Sequence, residues 1–186
     1  MPTPGGADIE VDGEKIHIPA NLFEVRDEVI DIRGEDIVPH VIEPSYGIDR
    51  MCYAVLEQAY DEDIADGEAR TVMHLSPKIA PVQVAVFPLM TRDGLDTIAH
   101  EITHTFHKKG ILAEYDDSGA IGRRYRRQDE IGTPFAVTVD YDTKDNNTVT
   151  LRDRDSMKQV RVPIAQLPGT IWDLVDGSIT FSSLKP

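Results

Sequence analysis

The sequence predicts an α/β protein built on a mixed sheet of about five strands flanked by three helices. Three observations carry this expectation. Val82 to Met90 is an apolar, β-branched run without alternation, as a central strand covered on both faces requires. Leu95, Ile98, Ala99, Ile102 and Phe106 recur at helical spacing, and Gly110 supplies the stop. TVTLRDRD and QVRVPIAQL alternate with period two, which puts Val149, Leu151, Val160 and Val162 on one face of a hairpin and charged side chains on a solvated one.

The remaining elements follow in chain order. In the first 38 residues, EVDGEKIHIP and FEVRDEVIDI read as short strands, the first broken by a tight turn at Asp12-Gly13. From Gly47 the period changes. Ile48, Met51, Cys52, Val55, Leu56 and Ala59 share one helix face, so a strand is expected to run into a helix at EPSYGIDR and to bury that face, Cys52 included. DEDIADGEA then reads as a solvated loop. SPKIAP, with two prolines and no periodicity, reads as a linker over residues 76–82, with a domain boundary near Pro81. Beyond it, Leu112 to Asp116 is a short strand, Ile121 to Ile131 a helix, Phe135 to Tyr141 a strand, and Ile171 to Val175 a final helix ended by Gly177.

A chain of 186 residues can bury a core for one domain with part of another. No apolar run approaches the roughly 18 residues of a membrane span, and the start of the chain lacks the basic and apolar segments of a secretory signal, so a cytoplasmic location is expected. A single cysteine excludes an internal disulfide. Charge is more informative: 33 acidic against 19 basic residues give a net charge of −14. Dense carboxylates keep a surface hydrated where the Debye length shrinks to about 3 Å near 1 M salt, so the composition points to a salt-adapted protein. The excess lies almost wholly in residues 1–75, with 18 acidic and 5 basic groups against 15 and 14 afterwards. A nucleic-acid partner therefore stays open for the second part.

Three constellations could carry chemistry. His100-Glu101-Ile102-Thr103-His104 matches the HExxH pattern in which two histidines one turn apart hold zinc. His107 merely continues that helix face, and the face lies away from the apolar stripe, so a polar helix surface without metal is expected. EPSYGIDR is longer. Pro44 and Gly47 shape a bend, Glu43 suits an ammonium group, Ser45 a neutral hydrogen bond, and Arg50 a phosphate through its planar fork. The same residues also fit an ordinary junction with a capping Ser and a surface Arg. Arg123-Arg124-Tyr125-Arg126-Arg127 offers guanidiniums around an aromatic ring, suited to phosphates and an unpaired base, or to ion pairs with Asp116, Asp117, Asp129 and Glu130. Arg152 and Arg154, alternating with carboxylates, read more readily as a solvated ion-pair ladder and are weaker RNA candidates.

VPHVIEPSYGIDR resembles motif 3 of class II aminoacyl-tRNA synthetases in its glycyl form. RTVMHLSPKIAPVQVAVFPL, DDSGAIGRRYRRQDEIGTPFAVTVDYDT and TVTLRDRDSMKQVRV resemble the anticodon-binding domain of the same glycyl-tRNA synthetases, and the likeness covers roughly residues 36–180. The resemblance implies that residues 1–75 are a partial α+β fragment of the catalytic domain and 83–186 the anticodon-binding domain. It implies glycine binding by Glu43 and Ser45, and a catalytic, ATP-binding role for Arg50. It also implies ATP and Mg²⁺ as cofactors, tRNA(Gly) as partner of Arg123, Arg124, Arg126, Arg127, Arg152 and Arg154, and a homodimer for the intact enzyme. With the acidic composition, it points to a haloarchaeal source. The family's other catalytic motifs have no counterpart in the residues before motif 3, so the chain is expected to be one piece of a ligase that does not aminoacylate by itself. The alternative is a free-standing, non-catalytic RNA-binding accessory domain.

Overall fold

The computed structural model describes residues 5–30, 34, 37–65 and 67–184. The chain separates into two compact units, Met1–Pro44 and Ser45–Pro186. In the first, β1 (Gly6–Val11) and β2 (Glu14–Pro19) pair antiparallel with Val11 opposite Glu14. Asp12 and Gly13 both take positive φ, 53° and 83°, the backbone that a two-residue hairpin turn demands. The Asp8 carboxylate lies 2.6 Å from His17 Nδ1 and raises the imidazole above its ordinary pKa. The second expected strand does not form over residues 23–30, and residues 31 and 32 of it lie outside the described residues. No described residue covers its apolar side chains: Val25, Val29 and Ile30 are exposed. Residues 37–47 are irregular as well, so no strand leads into the helix at EPSYGIDR.

The second unit opens with α1 (Ile48–Ala59), which runs directly into a hairpin of β3 (Tyr60–Ala65) and β4 (Glu68–Met73). A solvated loop was the expectation for this acidic stretch. The hairpin forms because Asp63 faces Arg70 across the ladder and pairs with it, a partnership that acidic composition conceals. The chain continues through β5 (Val84–Pro88), α2 (Leu95–Lys108), β6 (Ala113–Tyr115), α3 (Ile121–Ile131), β7 (Phe135–Val139), α4 (Tyr141–Asn146), β8 (Thr148–Asp153), β9 (Gln159–Pro163) and α5 (Leu167–Asp176). The sheet has the order β6-β5-β7-β8-β9, parallel for the first three strands and antiparallel for the last two. It is the mixed five-stranded sheet the sequence predicts.

Two helices differ from expectation. α4 was not foreseen, because YDTKDN carries no apolar stripe; it is held by a capping box in which Asp140 and Thr143 satisfy each other's backbone N–H. α5 begins at Leu167, earlier than expected, with Pro168 in its first turn where a missing N–H is harmless.

One sheet face packs Val84, Val86, Val137, Val149 and Leu151 against α2 and α5, through Leu95, Phe106 and Ile171 among others. On the other face Ala85, Phe87 and Ala136 are covered by Ile121 and Tyr125 of α3. The register carries that second face outward: Phe87, Thr138, Thr150 and Arg161 lie in one row, and Ala85, Ala136, Arg152 and Gln159 in the next. The expected boundary near Pro81 separates no compact units, since Arg154 Nη1 reaches back across it to the Leu75 carbonyl at 3.0 Å.

Candidate nucleic-acid interface

Glu43 belongs to the first compact unit, while Ser45 and Arg50 belong to the second, so the division falls inside EPSYGIDR. All three side chains are exposed. Gly47, in extended conformation, caps α1 with no side-chain hydrogen bond, so Ser45 is not the capping residue that the plain-junction reading requires. Arg50 sits in the first turn and has no hydrogen-bond or ion-pair partner among the described residues. The apolar face of α1, expected to be buried, is open: Ile48, Met51 and Leu56 are exposed, Cys52 likewise, and Ala59 is the buried residue of the helix.

The arginines of α3 divide by helical position. Ile121 and Tyr125 face the sheet, Phe87 meeting the Tyr125 ring edge-to-face at 5.3 Å, and the Tyr125 hydroxyl lies 2.6 Å from Thr138 Oγ1. Burial pushes the Tyr125 pKa up. Arg124 points inward on the same side of the helix and is buried; it donates to the carbonyls of Pro88 and Gly119. Arg127, more exposed, donates to Asp116 and Ser118. Burial would raise Asp116, but its bonds from Ser118 and Arg127 bring it below the ordinary value. Arg126, half-buried, donates to the Ala65 carbonyl at 3.2 Å. Arg123 alone of the four is exposed with no partner among the described residues.

The expected solvated ladder of Arg152 and Arg154 is not what forms. Both are buried, because their sheet face lies under α3 and the β3–β4 hairpin rather than in water. Arg152 makes a bidentate bond to Asp129, at 2.9 and 3.2 Å, and its guanidinium lies 4.7 Å over the Tyr125 ring. Arg154 grips Asp155 and the carbonyls of Leu75 and Gly132. Burial would raise Asp155; Arg154 and His74 bring it below the ordinary value. Arg70, 2% exposed, joins the set: it pairs with Asp63 and donates to Asp129 Oδ2 at 3.2 Å and to the Arg154 carbonyl at 2.9 Å. The Arg70 bonds hold Asp63 below the ordinary carboxylate range.

What the arrangement leaves open is a groove of about 710 Å³ between the start of α3 and the tip of the β8–β9 hairpin. Arg123, Arg126, Tyr125 and Arg152 line it, with Glu68, Met157 and Gln159 opposite. No motif or periodicity singles out the last three. Met157 holds a positive φ of 56°, which only the fold reveals.

His100 of HEITH stacks on Tyr115 at 3.8 Å, and His107, which continues that helix face, has its Nε2 2.8 Å from the Ala113 carbonyl. Among the described residues no three His, Cys, Asp or Glu side chains are grouped to hold a metal.

Residues 83–174 match the anticodon binding domain family. The chain is 49% identical over 168 residues to a glycine-tRNA ligase of Archaeoglobus fulgidus, covering 90% of the chain and 30% of the relative. It is 50% identical over 174 residues to the glycine-tRNA ligase of Methanothrix thermoacetophila, covering 94% and 30%. The chain thus spans less than a third of the length of these curated relatives. A solved prolyl-tRNA synthetase from Cryptosporidium parvum, complexed with L-proline and AMP, superposes with a TM-score of 0.54 at 25% identity over 56% of this chain and 23% of that one.

Proposed function

We propose that this chain, which belongs to the glycine-tRNA ligase family, supplies the tRNA-reading part of an enzyme that uses ATP to attach glycine to tRNA(Gly). The observation that carries the reading is a groove of free and stacked guanidiniums lying inside the stretch that matches the anticodon binding domain. Arg123, exposed and unpaired among the described residues, is the phosphate contact, and Arg126 and Arg127 flank it. Arg152, stacked over Tyr125, gives an unpaired base a flat surface at the groove floor. Arg124 and Arg154 hold the walls by binding backbone carbonyls rather than RNA.

In the complete enzyme Glu43 and Ser45 receive glycine and Arg50 an ATP phosphate. Motif resemblance supports these roles, and so does the exposure of all three side chains. Arg50's donors fit a phosphate because no described residue occupies them, and Mg²⁺ would neutralise phosphate charge there. Resemblance likewise supports a cytoplasmic homodimer for the whole enzyme, and no described helix is long and apolar enough to cross a membrane.

Fluorescence anisotropy with a tRNA(Gly) transcript and an anticodon-swapped one tests the reading. The expected result is salt-sensitive binding that weakens at least several-fold on the swap. Equal affinity for both transcripts, or none for either, overturns it.

A further inference from the structure

We infer that the β3–β4 hairpin, which lies outside the matched residues 83–174, is a working wall of the RNA groove, and that buried Arg70 is the positioning residue that docks it. The inference rests on the RNA-reading function proposed above.

Three links join the hairpin to the groove. The Asp129 carboxylate is shared: Oδ2 accepts from Arg70 on β4 at 3.2 Å while both oxygens accept from groove-lining Arg152. Arg126, a second groove arginine, donates to the carbonyl of Ala65 at the end of β3. Glu68, the first residue of β4, itself lines the groove. Arg70 cannot touch RNA, because its side chain is 1% exposed and every bond described for it goes to protein: Asp63 across the hairpin, Asp129 on α3 and the Arg154 carbonyl beyond β8.

Docking therefore braces two groove guanidiniums, Arg126 directly and Arg152 through Asp129. Arg126 would lose its carbonyl acceptor, and Asp129 would be left to hold Arg152 without Arg70 opposite. An RNA that binds the docked arrangement better must stabilise docking by the same factor that docking adds to RNA affinity. β3 follows α1 without an intervening residue, so the docked hairpin also anchors the end of the helix that carries Arg50. Occupancy of the groove is thereby linked to the placement of that helix.

Hydrogen exchange of this chain with and without the tRNA(Gly) anticodon stem-loop, read beside binding affinity, tests the linkage. Arg70→Lys retains the charge but not the three-way fork, and it should weaken stem-loop binding about tenfold, within the usual range of coupling between sites. In the parent chain, RNA should slow exchange of the residue 60–73 amides by a similar factor. Strands β5 and β7 should stay protected in the variant. If Arg70→Lys loses that core protection, Asp63→Asn decides, because it leaves the Asp129–Arg152 pair intact; a smaller loss of affinity in the same direction supports the inference. Parent-like affinity in the deciding variant, with residue 60–73 exchange unchanged by RNA, overturns it while leaving RNA reading in place. A parent chain that binds no stem-loop overturns both.

Discussion

Replacing Asp129 by Asn should cost the folded chain about 3 kcal/mol, the lower end of the range for stranding one partner of a buried ion pair. Asp129 is 1% exposed and accepts two N–H bonds from Arg152 and one from Arg70, with Arg126 Nη1 at 4.0 Å. Asn preserves the volume and one oxygen but turns an NH₂ donor toward guanidinium donors. Arg70 keeps Asp63 and the Arg154 carbonyl, so its charge stays paired. Among the described residues Arg152 keeps only the Tyr125 ring, and the loss is that of one stranded guanidinium, eased because Arg152 borders the open groove. At roughly 2–4 °C per kcal/mol for a unit of this size, the melting temperature should fall by about 6–12 °C. Urea and thermal unfolding followed by circular dichroism give both numbers. Adding Arg152→Met removes the stranded charge and should restore more than half of the loss. A single variant within 1 kcal/mol of the parent, or a double variant no better than the single one, would refute the claim that this shared carboxylate holds the hairpin, α3 and β8 together.

Arg123→Ala should weaken RNA binding and shallow its log–log salt dependence by about one unit without changing stability, whereas Arg124→Ala should cost about 2 kcal/mol by abandoning two carbonyls; the reverse pattern in anisotropy and urea titrations would invert our division of α3. Cys52 should react with a thiol reagent in the native chain as fast as after unfolding, since its helix face is open, and protection of the thiol would show that face covered. Asp63, Asp116, Asp140 and Asp155 all titrate below their ordinary 3.8 when folded, so the stability they contribute is complete above 3.8 and drains as pH falls through the depressed values; a urea midpoint still unchanged at pH 3 would contradict this. The −14 net charge should make folding salt-dependent, and identical circular dichroism in 0.1 M and 2 M KCl would remove the case for salt adaptation.

Much of the sheet domain is legible in the sequence, because each of its central elements announces itself by period and by a stop. α3 runs over the expected residues Ile121–Ile131, and the β8–β9 hairpin follows from its alternation. Elements held by polar pairing are the ones that hide. The β3–β4 hairpin shows no apolar alternation, and α4 rests on one capping box. α1 shows the opposite failure: its apolar stripe correctly marks a helix, yet periodicity says only that a face is apolar, not that this chain supplies a cover for it.

The arginines pose a harder problem, because a buried carboxylate or carbonyl offers a guanidinium the same hydrogen-bonding geometry as a phosphate. Type and spacing therefore leave the partner undecided; position within the element settles it. On α3, Ile121, Tyr125 and Gln128 form a stripe at i, i+4 and i+7, and Arg124, three residues past Ile121, falls within that stripe, while Arg123 and Arg127 fall outside it. That separation was available from the sequence had Gln128 been read as an inward residue, although glutamine seldom is. For Arg152 and Arg154 no such signal existed. Period two places them opposite Leu151, and whether that opposite face meets water depends on α3 and a hairpin whose own existence depends on Arg70. A charged row on a strand is a solvated ladder only if nothing packs over it, and what packs over it is decided by residues some eighty positions away.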